Sequence, residues 1–184
     1  RFEGESGVVR RMPLSETESV VTQDLAGRQE EMESLLRSLV ELNSHTANAD
    51  GVNAVGTVCE RHLMESGIRV AAIVTGRSGQ HLCGRSRHRD GNHLLLLGHL
   101  DTVFPESAPG GEFRVDPDDP DRLLGPGAAD MKGGIVVMLT AIRALAERGL
   151  LEDRALTVML TADEEQGSPT GHDFIHAEAE EAHL

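Results

Sequence analysis

Tryptophan and tyrosine are absent from this 184-residue chain, and phenylalanine occurs only four times. Any core must therefore be aliphatic, built from Leu, Val, Ile, Met and Ala. Long apolar runs are also missing: the longest lie near Leu94 and Ile135 and fall well short of the ~18 residues of a membrane span. Positive charge is scarce. With 17 Lys and Arg against 31 Asp and Glu, the formal net charge is −14, which argues against nucleic acid or an anionic membrane surface as partner. Cysteine is limited to Cys59 and Cys83, with neither CxxC spacing nor a disulfide framework, so two free thiols in a reducing, cytoplasmic setting are expected. The first residue is Arg1, not Met, which leaves an export signal open and gives the chain the look of an excised segment. What is present, 39% hydrophobic and 26% charged residues, fits an ordinary globular protein with room for one sizeable core.

Residues 1–13 carry no periodicity and read as a loose N-terminal segment. Ser15 and Glu18 have capping-box spacing. Leu25, Met32, Leu35, Leu36, Leu39 and Val40 then recur with helical spacing. After the polar loop NSHTANAD, a second amphipathic helix is predicted through Val52, Val55, Val58, Cys59 and Leu63, with Gly67 as its C′ residue. Strands are predicted at 68–75 and 80–87 across a turn at Gly76 to Gly79. The run Leu94 to Leu97 suits a strand buried on both faces, whereas 106–121, with DPDDPD, reads as a solvated loop whose prolines break calcium-loop spacing. A buried helix over Ile135 to Ala146, a second buried strand over Ala155 to Thr161 and an acidic helix over Gly171 to Ala182 complete the pattern. This alternation predicts an α/β sandwich with a mixed, largely parallel sheet.

The two apolar strands each run into polar residues: LLLLGHLDTVFP carries His99 and Asp101, and ALTVMLTADEEQGS carries Asp163, Glu164 and Glu165. Ligands of open α/β sheets gather beyond the carboxyl ends of strands. His99 and Asp101 are two apart and face one side of an extended chain, so Asp101 is either a metal ligand or the partner of the second ring nitrogen. Between the strands, GPGAADMKGG sets Asp130 before a glycine-rich helix start. Alone, Asp130 reads equally as a helix N-cap. In conjunction with both strand ends it becomes a carboxylate able to bridge two ions. One of Glu164 and Glu165 is placed to bind metal and the other to act as a general base. His172 and His176 have i, i+4 spacing but no evident third ligand, so they read as surface residues. Ser168 and Thr102 lack the partners of a nucleophile elbow, and GPGAADMKGG matches neither phosphate-binding glycine fingerprint.

Together, GHLDTVFP, GPGAADMKGG and TADEEQGS resemble the co-catalytic zinc peptidases and deacylases, a family that includes carboxypeptidase G, aminoacylase, acetylornithine deacetylase and succinyl-diaminopimelate desuccinylase. The likeness extends from about Met32 to the C-terminus. It implies a three-layer zinc-exopeptidase-like sandwich, with residues 14–184 as the N-terminal part of the catalytic domain and the lid and dimerisation domain absent. It implies two zinc ions, replaceable by cobalt or manganese. His99 would bind one, Glu165 the other and Asp130 both, while Asp101 orients His99 and Glu164 serves as general base for attack by a zinc-bound hydroxide on an amide. It also makes Asp130–Met131 the candidate for a cis peptide bond.

The family's further ligands lie beyond Leu184, so the chain alone is expected to bind metal weakly and to have little activity. The parent is expected to be a homodimer acting on a small peptide or N-acyl amino acid. VFP after HLDT and the GPG opening favour a glutamate-type carboxypeptidase. An N-acyl amino acid deacylase, or a non-catalytic α/β domain that retains the motifs, are the alternatives.

Overall fold

The computed structural model describes residues 13–182 except 77, 78, 89, 91, 109 and 110. The loose segment expected before residue 13 lies outside the described residues. So does half of the turn between Gly76 and Gly79.

Among the described residues, five α-helices and six strands follow in the order α1 (Glu16–Ala26), α2 (Gln29–Val40), α3 (Ala49–Glu65), β1 (Arg69–Ile73), β2 (His81–Arg85), β3 (His93–His99), β4 (Arg114–Asp116), β5 (Asp119–Leu124), α4 (Gly133–Ala146), β6 (Ala155–Thr161) and α5 (His172–Glu181). Helix α1 opens on the expected capping box. Ser15 Oγ accepts the Glu18 N–H at 3.2 Å, and Glu18 Oε2 accepts the Ser15 N–H at 2.7 Å. The long helical pattern of the sequence is two helices, parted at Gly27 and Arg28. Helix α3 ends as predicted, with Gly67 at φ +80°.

The main sheet has the order β1-β2-β6-β3. It is mixed, as expected, but parallel pairing is confined to β3 and β6; β1 with β2 and β2 with β6 are antiparallel. Side chains alternate across it. Leu156, Val158 and Leu160 of β6 and Leu82 of β2 join Val52, Val55, Cys59 and Leu63 of α3 and Ile135, Leu139 and Ile142 of α4 in one aliphatic core. On the other face, Arg85 of β2 pairs with Glu178 of α5, and His93 meets Thr157 Oγ1 at 2.7 Å. Helices thus cover both faces, giving three layers. Among the described residues no helix is long and apolar enough to cross a membrane.

Two expectations are corrected. Strand β3 is not buried on both faces: it is the edge of the sheet, with Leu94 59% and Leu97 47% exposed, while β6, between β2 and β3, is buried throughout. The segment taken for a solvated loop also holds the antiparallel pair β4–β5, with a bulge at Val115/Asp116. Its acidic, proline-containing strands lack the alternation that marks a half-buried strand.

Candidate metal centre

Strands β3 and β6 run parallel and in register from His93↔Ala155 to His99↔Thr161, so both chains leave the sheet at one end. The ladder continues one step, as the Leu100 N–H donates to the Thr161 carbonyl at 2.7 Å. This places His99 and Asp101 beside the turn 164–166, beyond the carboxyl ends of the parallel strands, where ligands of α/β sheets gather.

His99 is 5% exposed. Its Nδ1–H donates to the Asp101 carbonyl at 3.0 Å, and the Asp101 carboxylate stands 3.4 Å from the same nitrogen. That fixes the ring and turns Nε2 towards Asp130 Oδ1 at 3.0 Å and Glu164 Oε2 at 3.8 Å. Burial disfavours the imidazolium, but hydrogen bonds from Asp101 and Asp130 outweigh it and push the pKa up to about 9. A cation taken up at Nε2 must displace that proton.

Asp130 is brought to His99 by an irregular backbone. Gly127 enters at φ +70°, Asp130 is extended at φ −129° and ψ 101°, and the Asp130–Met131 peptide bond is cis. The Asp130 side chain caps no helix: α4 begins after Lys132 without a side-chain cap, so the N-cap reading is overturned. Gly98 leaves room for Met131, since a Cβ there would meet Met131 Cε at 2.9 Å; Met131 Sδ in turn accepts the His99 N–H at 3.1 Å. Lys132, 1% exposed, points the opposite way and donates to the Leu42 carbonyl at 2.9 Å.

His99, Asp130 and Glu165 offer ligand atoms that all lie within 4.8 Å of one another, a group able to hold a metal ion. One imidazole and two carboxylates suit zinc and similar divalent ions. Crowded negative charge supports the fit: burial and then Asp130, Asp101 and Glu164 raise the pKa of Glu165, with His99 opposing. A cation would relieve that repulsion.

Asp101 sits outside this cluster and 1% exposed. Its Oδ1 accepts the Glu164 N–H at 3.1 Å, and its Oδ2 accepts the Glu165 N–H at 3.2 Å and the Thr46 hydroxyl at 2.7 Å. Burial opposes its charge, yet bonds from His99, Thr46 and the two amides lower its pKa. Asp163 is not brought to the cluster. It is 1% exposed, and its Oδ2 accepts the Thr170 N–H at 2.8 Å and hydroxyl at 2.6 Å. His172 and His176 lie with ring centroids 4.5 Å apart and planes tilted by 51° on the exposed face of α5, with Asp173 beside His172. Sequence reasoning missed Thr46, which lies in the polar loop NSHTANAD without a periodic signal.

The model of Peptidase family M20/M25/M40 matches residues 95–183. Carboxypeptidase G2 of Pseudomonas sp. (strain RS-16) is 34% identical over 171 residues, covering 88% of this chain and 39% of the relative. A succinyl-diaminopimelate desuccinylase of Xanthomonas euvesicatoria is 40% identical over 76 residues, 39% of this chain and 20% of that protein. The chain therefore spans well under half the length of these relatives. Among solved structures, human carnosine dipeptidase 1 shares the fold with a TM-score of 0.75 at 20% identity, over 90% of this chain and 39% of that one. A metallo-carboxypeptidase of Sulfolobus solfataricus gives 0.65 at 20% identity, over 84% and 36%.

Proposed function

We propose that this chain supplies metal-binding and catalytic side chains to a metal-dependent hydrolase of amide bonds, most like a glutamate-type carboxypeptidase. The observation that carries the reading is the convergence of His99 Nε2, Asp130 and Glu165 within 4.8 Å, with Glu164 facing the same imidazole. In this reading His99 would hold one zinc ion and Glu165 the second, with Asp130 shared between them. Bound divalent cations supply Lewis acidity, polarising an amide carbonyl and making a water acidic enough to be deprotonated near neutral pH. Glu164 is the general base. It is about half exposed and not tied into the sheet, so its carboxylate can take a proton from the attacking water and return it to the leaving nitrogen. Asp101 keeps His99 in the tautomer that presents Nε2.

Glutamate as the leaving residue is favoured by the 34% identity to carboxypeptidase G2 over nearly the whole chain. Deacylation of an N-acyl amino acid is the second reading, supported by the desuccinylase relatives. A protein carrying this segment at the full length of the relatives, loaded with zinc, tests both. The first reading expects cleavage of peptides ending in glutamate over N-succinyl and N-acetyl amino acids. It also expects a loss of about 10²-fold or more in kcat for Glu164→Gln. Equal turnover by the Glu164→Gln enzyme would refute the base assignment.

A further inference from the structure

We propose that Thr46 and the Asp101 carboxylate form a positioning pair whose main task is to fix the backbone of Glu164 and Glu165. The proposal rests on the metal-hydrolase reading for its meaning, but not for its test. The turn Glu164–Gln166 begins without a side-chain cap of its own: its N-cap residue, Asp163, makes no such bond. The N–H groups of Glu164 and Glu165 would then lack partners, as do the first N–H groups of any helical turn. Both are taken by Asp101, one on each oxygen, at 3.1 and 3.2 Å.

His99, by contrast, depends less on that carboxylate. The Asp101 backbone carbonyl already holds its Nδ1–H at 3.0 Å, closer than the carboxylate at 3.4 Å. Removing the Asp101 side chain therefore leaves the ring one good acceptor but leaves the turn none.

Thr46 completes the carboxylate. An ionised carboxylate offers about four acceptor sites. Here His99, the two amides and the Thr46 hydroxyl, at 2.7 Å, stand around them. The hydroxyl is not free to wander. Thr46 is 6% exposed, its N–H donates to the Thr102 carbonyl at 3.1 Å, and the Thr102 N–H donates to Ser44 at 2.8 Å. The loop between α2 and α3 is thereby laced to the chain leaving β3, with Thr46 as the strut behind Asp101. Fixing two adjacent amides sets the directions in which Glu164 and Glu165 leave the backbone, which is what separate roles for neighbouring carboxylates require.

The test uses the 184-residue chain labelled with ¹⁵N. Amide protons bonded to a buried carboxylate resonate downfield. Thr46→Val is expected to move the Glu164 and Glu165 amide protons upfield, and Asp101→Asn more so, while Thr46→Ser restores the wild-type positions. Zinc affinity, read by competition with a chelator, is expected to fall about tenfold in Thr46→Val and to recover in Thr46→Ser. A general loss of packing would not give that rescue confined to the hydroxyl. If neither amide moves in Thr46→Val or Asp101→Asn, or if the His99 ring resonances move and the amides do not, the pairing is refuted. Amides that move as stated in a chain that takes up no zinc uphold the pairing and refute the metal reading instead.

Discussion

Gly51→Ala sets two effects of opposite sign against each other. Gly51 lies in the first turn of α3, where alanine in place of glycine ordinarily stabilises a helix by about 1 kcal/mol. Here a Cβ would stand 1.8 Å from the Asn43 carbonyl oxygen and 2.5 Å from Asn48 Nδ2. A carbon and a carbonyl oxygen rest at about 3.3 Å, so the 43–48 loop must retreat by roughly 1.5 Å. Retreat strains two bonds of Asn48, its Nδ2–H to the Asn43 carbonyl at 2.9 Å and its Oδ1 from the Gly51 N–H at 3.1 Å. Losing such a cap costs about 1 kcal/mol, and overpacking against backbone adds about 2. Repulsion wins. The variant is expected to be less stable by about 2 kcal/mol, lowering Tm by about 4–8 °C for a chain of this size. Thermal unfolding followed by circular dichroism reads this directly, and a Tm equal to or above wild type would refute the reasoning. The same retreat draws Thr46 from Asp101, so the Glu164 and Glu165 amides should shift as they do in Thr46→Val.

Two further predictions concern buried titratable groups. Burial pushes the Cys59 thiol up to about 12, so it should resist iodoacetamide at about pH 8 until the chain is unfolded in urea; rapid labelling of Cys59 in the native protein would contradict its placement in the core. His81 accepts the Ala162 N–H at Nδ1 and meets Thr170 Oγ1 at Nε2, and burial lowers its pKa despite the nearby Asp163 and Asp101. The unfolded chain, titrating near 6.5, then binds the proton more readily, so this contribution to stability is complete above about pH 6.5 and is lost as the pH falls through the depressed folded value. The urea midpoint should fall more between about pH 7.5 and 5.5 in wild type than in His81→Gln, and equal falls would show that His81 takes no part.

Local chemistry was the legible part of the fold. The capping box at Ser15 and Glu18, the stop at Gly67 and the strand over Ala155 to Thr161 each follow from neighbours in sequence. What escaped depends on distant partners. Leu94 to Leu97 has the composition of a central strand, and only the sheet order leaves it at an edge. The strands Arg114–Asp116 and Asp119–Leu124 are held by pairing with each other against unfavourable composition. At the candidate site, the strand-end positions of His99, Glu164 and Glu165 and the place of Asp130 just before a glycine-rich helix start marked them, because ligands collect where parallel strands end. Thr46 reaches Asp101 across 55 residues, and one threonine in a polar loop carries no periodic trace of such a contact.

Metal binding by the chain itself tests the central claim most directly. On the proposed reading two ions would share His99, Asp130 and Glu165, the group that stands together among the described residues, fewer protein ligands for each than the three usual at catalytic zinc. Zinc and cobalt titrations of the wild type, His99→Ala, Asp130→Asn and Glu165→Gln should show weak uptake by the wild type, reduced in every variant, with little amide hydrolysis. Uptake unchanged by all three substitutions would contradict the proposed centre. Two tightly held ions with turnover would contradict the view that His99, Asp130 and Glu165 hold metal only weakly in this chain.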